Sequence, residues 1–450
     1  MTISFNNSIP VTSYKSDVLT GTMTVPGDKS MSHRSLILGT LALGTTTVTG
    51  LLEGEDVLCT AEAMRQLGAR ITRSESGTWH IEGVGVGALQ EPKNVLEMGN
   101  SGTAARLLMG LVANAPFTTF FSGDASLHKR PMGRVANPLR QMGAEITSRS
   151  EDRFPLALTG RDLMPISYVL PVASAQVKSC ILLAGMDTAG TTTVTEPKPT
   201  RDHTENMLRH FGARVDVELK NDGSRVISLE GQQELRAADV IVPGDPSSAA
   251  FIAVAAAIIP GSDVTIENVG LNPLRDGIFE TLGEMGAHIE ITNVRLQAGE
   301  QVGDVQIKGG LLKGIEVPPS RAISMIDEYP VLFVAASMAT GTTTMRGLKE
   351  LRVKESDRIS VMAEGLKACG VELEELEDGI IIHGRAVPPK GGATVATELD
   401  HRIAMSFLVL GMVSQEPVTV DDGSVMETSF PGFTQLMNGL GAQIGKKAET

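Results

Sequence analysis

The chain alternates short strand-like runs with two kinds of helix pattern, one apolar on nearly every side and one apolar along a single face. Its first instance sets the scheme. A run of Thr22, Met23, Thr24 and Val25 stops at the Pro26-Gly27 turn, and polar or cationic residues then open a helix continuing through Leu36, Ile37, Leu38 and Leu41. A second helix pattern closes six times on an apolar residue, a glycine and Ala or Val, at Gly68, Gly143, Gly212, Gly286, Gly370 and Gly441. Each of these glycines stands where a helix end needs a left-handed residue. Thr/Val-rich strands (Thr45 to Thr49, Thr191 to Thr195, Val264 to Glu267, Thr342 to Arg346) follow the more apolar helices. The repeating unit therefore reads strand, buried helix, strand, amphipathic helix, strands. Six such α/β units exceed one core, so two groups of three are predicted.

The signature glycines need no explanation beyond capping and packing. The starts of the six apolar helices are different. They read Asp28-Lys29-Ser30, Asn100-Ser101-Gly102-Thr103, Ser174-Ala175-Gln176, Asp245-Pro246-Ser247-Ser248, Asp327-Glu328 and Asp400-His401-Arg402. Each offers N-cap residues, and a helix start also presents free N–H groups and the positive end of the dipole. Lys29, Ser30 and Arg34 at the first start suit a bound anion, with Ser30 and Arg34 on one face.

Net charge is −14, from 53 acidic and 39 basic residues, which argues against a nucleic-acid or anionic-membrane surface. A small anion is still compatible, because local cations decide that. Cys59, Cys180 and Cys369 are isolated and lack zinc or disulfide spacing, so a reducing compartment is expected. The start of the chain lacks a signal-peptide core, and the longest apolar run, Ala249 to Pro260, is too short for a bilayer. A cytoplasmic protein is the expectation. A P-loop would need glycine where Met23 and Asp28 stand, Gly83 to Gly87 leads into no apolar helix, and the histidines lack metalloprotease spacing.

Four clusters could carry chemistry. His128, Lys129, Arg130 and Arg134 crowd a short turn, which solvent alone could explain. Lys354 and Arg358 are like charges four apart, with Glu355 and Asp357 between them, so a salt-bridged surface helix is the plain expectation. Asp400-His401-Arg402 opens a helix with cations, the wrong sign for the dipole unless an anion binds. Asp327 and Glu328 enter another apolar helix; capping explains one, and a base for a substrate hydroxyl would explain the other.

Together these stretches resemble the 5-enolpyruvylshikimate-3-phosphate (EPSP) synthase family over nearly the whole chain. The specific pieces are PGDKSMSHR (Pro26 to Arg34), GNSGTAAR (Gly99 to Arg106), RPMGR (Arg130 to Arg134), SAQVKS (Ser174 to Ser179), LRVKESDR (Leu351 to Arg358) and DHRIAM (Asp400 to Met405). The wording is similar to the bacterial subgroup that includes glyphosate-tolerant forms. The resemblance implies an α/β (α+β) enolpyruvyl transferase fold: two domains of three βαβαββ units, closing on the substrates. One domain would be 27–241, the other 1–26 with 242–450. It implies transfer of enolpyruvyl from phosphoenolpyruvate to the 5-hydroxyl of shikimate 3-phosphate, within aromatic amino acid biosynthesis. By the same resemblance, Lys29, Ser30, Arg34, Ser174, Gln176, Arg201, Asp327 and Lys354 would hold shikimate 3-phosphate. Lys29, Asn100, Gly102, Arg130, Arg358 and Arg402 would hold phosphoenolpyruvate, and Lys29, Asp327 and Glu355 would be catalytic. No cofactor or metal is implied, since lysines and arginines take the role of Mg²⁺, and no nucleic-acid or membrane partner; a monomer is expected.

One departure stands out. Many relatives carry a lysine before a Thr-Phe-Pro segment, whereas here Thr428-Ser429-Phe430-Pro431 has none. The sister enzyme acting on UDP-N-acetylglucosamine is a rival, but it typically has a cysteine before its Arg-Pro pair, and Ser122 to Pro131 contains none. A non-catalytic anion-binding repeat protein is the other rival; it would have no use for Glu355 and Asp327.

Overall fold

Helices with no polar face must be wrapped on all sides, and the chain supplies that wrapping with sheets and partner helices. The structure, a computed structural model, describes residues 8–446. It divides into two compact units. One comprises Gly27–Pro243 with Leu296–Gln301; the other comprises the N-terminal stretch through Pro26, Gly244–Arg295 and the chain from Val302 onward.

The first unit holds α1 (Lys29–Leu41), α2 (Glu55–Gln66), α3 (Gly102–Val112), α4 (Gly133–Met142), α5 (Ala175–Gly185) and α6 (His203–His210). The second holds α7 (Pro246–Ile258), α8 (Gly277–Glu284), the short α9 (Ala322–Met325), α10 (Tyr329–Met338), α11 (Arg358–Ala368), α12 (His401–Gly411) and α13 (Phe433–Gly439). The apolar helices α1, α3 and α5 form one core with their neighbours, and α7, α10 and α12 form another. Every residue of α7 is buried. Close packing is bought with glycine: a Cβ at Gly110 on α3 would lie 2.2 Å from the Cys180 carbonyl oxygen on α5.

Six four-stranded sheets, three in each unit, share one order. Each starts with a parallel pair, adds an antiparallel third strand and ends on an edge strand. Leu96–Glu97, Thr118–Ser122, Arg153–Thr159 and Glu145–Arg149 show the plain βαβαββ unit, with α3 and α4 as its helices. Two units borrow a strand from far along the chain. Thr45–Thr49 takes Val240–Ile241 as its parallel partner, and Asp263–Gly270 takes Thr20–Thr24. A third sheet is completed by Val11–Tyr14, paired with both Val418–Val420 and Gln443–Lys446.

All six signature glycines adopt positive φ, between 84° and 115°. That conformation favours glycine at all six, and at Gly212 it acts alone, because an added Cβ would meet nothing within 4 Å. Gly212→Ala is expected to cost about 1–2 kcal/mol, the left-handed penalty alone. Gly110→Ala, which must also displace backbone, is expected to cost more. Urea unfolding midpoints of the two variants measure the difference.

Candidate active site

In the first unit the starts of α1, α3 and α5 are tied to one another by side chains. Asp28 caps α1 by accepting from the Met31 N–H at 2.8 Å, Ser101 caps α3 from Ala104 at 3.1 Å, and Ser174 caps α5 from Val177 at 3.4 Å. Arg34 donates from Nη2 to Ser179 Oγ on α5 (2.8 Å) and from Nη1 to the Ser30 carbonyl on α1 (2.9 Å). Arg106 on α3 donates to Gln176 Oε1 at 2.7 Å, and the Gln176 amide donates to Thr103 Oγ1 at 3.0 Å. Arg130 reaches Asn100 Oδ1 at 2.8 Å, and Asn100 in turn donates to Asp124 at 2.7 Å. Lys29 pairs with Asp56 of α2. Arg201 is close enough to oppose the charge on Arg34. Ser30, Arg34, Asn100, Gly102, Arg130, Ser174 and Gln176 are therefore brought together around three helix starts.

The second unit gathers its charged residues around one guanidinium. Arg358, only 1% exposed, donates from Nε to Asp400 at 2.8 Å, from Nη1 to Asp327 at 3.2 Å, and from Nη2 to Glu355 at 2.6 Å and Asp400 at 3.3 Å. Burial works against this charge, but Asp400, Glu355 and Asp327 outweigh it and hold the guanidinium above its ordinary pKa. Lys354 lies 3.2 Å from Asp327, and Arg402 donates to the Asp327 carbonyl at 3.1 Å. Asp400 caps α12 through the Arg402 N–H at 2.9 Å. Burial opposes ionisation of Asp400, yet Arg358 prevails and its pKa falls below the usual carboxylate value.

The stretch from Leu351 to Arg358 does not form the surface helix suggested by its charge spacing. A 3₁₀ turn ends at Val353, Asp357 caps α11, and Arg358 is the first helical residue, pointed inward at three carboxylates. Asp327 and Glu328 also part company. Asp327 faces the cations, while Glu328 is fully buried and accepts from Ser247, itself bonded to Arg275 at 2.9 Å. Neither helix capping nor chemistry is needed to explain Glu328. Around Thr428, whose hydroxyl donates to the Val425 carbonyl at 2.8 Å, the turn Ser424–Thr428 carries no cation. Among the described residues, no group of three or more His, Cys, Asp or Glu is placed to hold a metal ion, and no helix is long and apolar enough to cross a membrane.

The sequence model of the family described as EPSP synthase (3-phosphoshikimate 1-carboxyvinyltransferase) matches residues 14–437. The chain belongs to this family. A 3-phosphoshikimate 1-carboxyvinyltransferase of Paramagnetospirillum magneticum is 59% identical over 436 residues, covering 97% of this chain and 98% of the relative. The counterpart from Parvibaculum lavamentivorans is 57% identical over 440 residues, 98% of each. The solved EPSP synthase of Acinetobacter baumannii, at 47% identity, superposes with a TM-score of 0.86 over 98% of this chain and 100% of that one. An enolpyruvyl transferase of Streptomyces tendae shares the fold at 18% identity, with a TM-score of 0.77 over 98% of this chain and 100% of that one. The chain is thus an enolpyruvyl transferase of the EPSP synthase family, with the two-domain α/β fold of that family.

The sequence does not show that Asp400 is the main partner of Arg358, that Arg106 is the partner of Gln176, or that Ser179 and Thr204 are the hydroxyls around Arg34. Asp400, Arg106 and Ser179 lie inside the motifs quoted above, but their partners come from distant positions.

Asp400→Asn removes the largest opposing charge from a fully buried arginine, a change expected to cost about 3–5 kcal/mol at neutral pH. Because the folded pKa of Asp400 is depressed, its contribution is complete above the ordinary carboxylate range. It is lost as pH falls through the lower folded value. Urea unfolding of both proteins across acidic pH should show the wild type losing stability toward the variant.

Proposed function

We propose that this enzyme transfers the enolpyruvyl group of phosphoenolpyruvate to the 5-hydroxyl of shikimate 3-phosphate and releases inorganic phosphate. The observation that carries the reading is the clustering of lysine and arginine at helix starts in both units, in a family whose substrates are multiply charged anions. Two like-charged substrates repel unless cations stand between them, and preorganised cations also stabilise charge developing in the transition state.

Ser30, Arg34, Ser174, Gln176, Arg201, Asp327 and Lys354 are assigned to shikimate 3-phosphate. Lys29, Asn100, Gly102, Arg130 and Arg402 are assigned to phosphoenolpyruvate. Arg358 is assigned there too, but four of its five N–H donors are given to carboxylates, so at most one remains for a ligand. Its larger part is then to hold Asp327, Glu355 and Asp400 in register.

Asp327 accepts the proton of the attacking hydroxyl as the oxygen bonds to C2 of phosphoenolpyruvate and a proton adds to C3. In the second step a C3 proton leaves, the C2=C3 bond re-forms, and the C2–O bond to phosphate breaks. Lys29 and Glu355 carry these C3 proton transfers. Lys354 and Arg358, both 3.2 Å from Asp327, hold that carboxylate in place for the hydroxyl it faces.

Phosphate release with phosphoenolpyruvate and shikimate 3-phosphate, set beside the same assay with UDP-N-acetylglucosamine, tests the substrate assignment; turnover with the aminosugar nucleotide alone would overturn it. Lys29→Ala, Arg130→Ala and Arg402→Ala are each expected to lower kcat/KM by about ten- to hundredfold or more, as the loss of a charged hydrogen bond requires, with the fold retained. Near-normal turnover in all three would remove the anion-clamp reading.

Gly102 offers a sharper probe. A Cβ there would lie 2.9 Å from Arg106 Nη1 and 3.2 Å from Arg130 Nη1, both flexible side-chain ends. Gly102→Ala therefore shifts two guanidinium heads and narrows the assigned phosphoenolpyruvate site. Glyphosate, which in this family competes with phosphoenolpyruvate and is longer, is expected to lose affinity by about 1–3 kcal/mol more than phosphoenolpyruvate does. Competition kinetics on the two proteins check this, and equal inhibition constants would show that Gly102 does not shape the pocket.

A further inference from the structure

Behind Arg34 lies a buried ionic cluster that the reaction does not use directly. Arg34 Nε donates to Thr204 Oγ1 at 2.7 Å, Nη2 donates to Ser179 Oγ at 2.8 Å, and the two hydroxyls are themselves bonded at 2.6 Å. The next layer repeats the link between α5 and α6 with charges. Lys178, adjacent to Ser179, places Nζ 2.7 Å from Oε1 of Glu205, which is adjacent to Thr204. The same Nζ lies 3.0 Å from Oε1 of Glu196, at the end of the strand Thr191–Glu196, and Thr200 donates to that carboxylate as well. All three side chains, Lys178, Glu196 and Glu205, are 0% exposed.

Stability does not account for this cluster. Desolvating three charges costs several kcal/mol each, and well-packed apolar residues of similar volume often do as well or better. The Oε2 atoms of both glutamates also lack hydrogen-bond partners, so the network is not a saturated one. Charge balance gives it a purpose. Arg34 and Lys178 are matched by Glu196 and Glu205 in one dry region. Burial pulls the Arg34 guanidinium down to about 10, and among the charges holding it up Glu205 is foremost, ahead of Asp28 and Glu300. Arg34 spends three of its five N–H donors on Thr204, Ser30 and Ser179, which leaves one on each Nη for an anion.

We infer that Glu205, held in place by Lys178, is a positioning residue that acts on shikimate 3-phosphate through Arg34. Lys178 fixes α6 against α5, so that Ser179 and Thr204, bonded to each other, together hold the Nε and Nη2 groups of the guanidinium. The carboxylate of Glu205 offsets the cost of keeping that guanidinium charged at a site only 5% exposed. This inference rests on the assignment of Arg34 to shikimate 3-phosphate.

A double-mutant cycle read in steady-state kinetics tests it, with shikimate 3-phosphate and phosphoenolpyruvate varied separately in Glu205→Gln, Arg34→Met and the double variant. Glu205→Gln keeps side-chain shape and is expected to raise KM for shikimate 3-phosphate about tenfold, with KM for phosphoenolpyruvate changed less than twofold. In the Arg34→Met background the same substitution is expected to have no further effect, which a merely structural role would not produce. An unchanged KM in Glu205→Gln, or an equal rise with and without Arg34, overturns the inference while leaving the Arg34 assignment intact. An unchanged KM in Arg34→Met overturns the assignment itself, and the inference with it. Should Glu205→Gln fail to fold, Lys178→Met/Glu205→Gln removes both charges together and is read against the same Arg34→Met background.

Discussion

A helix buried on every side can meet ligands only at its ends. That constraint organises this enzyme. The apolar helices of both units are enclosed by sheets and partner helices, so their orphan N–H groups at the N-terminal end are the polar surface left to use. The side-chain caps at Asp28, Ser101, Ser174, Asp245 and Asp400 each answer one N–H group. Cations added at the same ends, Lys29 and Arg402 among them, are unfavourable to the dipole and make sense beside bound anions.

The second unit shows how a dry site manages opposing charges. Arg358 is surrounded by three carboxylates, and two of them contact further groups: Lys354 at Asp327, and Ser356 and the Arg402 N–H at Asp400. Single residues of such a cluster have no separable worth, because removing one strands the charge of another. The first unit meets the same problem with Lys178, Glu196 and Glu205 behind Arg34, and with hydroxyls rather than carboxylates touching the guanidinium.

Features set by local backbone geometry were legible in the sequence. The six capping glycines declared six units, since a φ between 84° and 115° strongly favours glycine whatever surrounds it. The six helix starts were legible for the same reason. What could not be read were partnerships between distant positions. Nothing local indicates that Val240 would pair with Val48, that Lys178 would meet Glu205, or that Leu296–Gln301 would join the first unit. Charge spacing misled at Lys354 and Arg358, because a pattern suited to a solvated helix also suits an arginine turned inward toward carboxylates from other elements. The two roles of Asp327 and Glu328 were likewise invisible: adjacent carboxylates look alike until one is seen against Ser247 and the other against Lys354.

The borrowed strands have a consequence for how the molecule is made. Thr45–Thr49 emerges early during synthesis but waits for Val240–Ile241 before its sheet is whole. Thr20–Thr24 waits longer, for Asp263–Gly270, and Val11–Tyr14 needs both Val418–Val420 and Gln443–Lys446. The segment from Gly27 to Pro243 is nearly self-sufficient and can condense around its own core while later residues are still being added. In the other unit Val11–Tyr14 waits for strands made more than 400 residues later, with its hydrogen-bonding edges available to the wrong partner in the meantime.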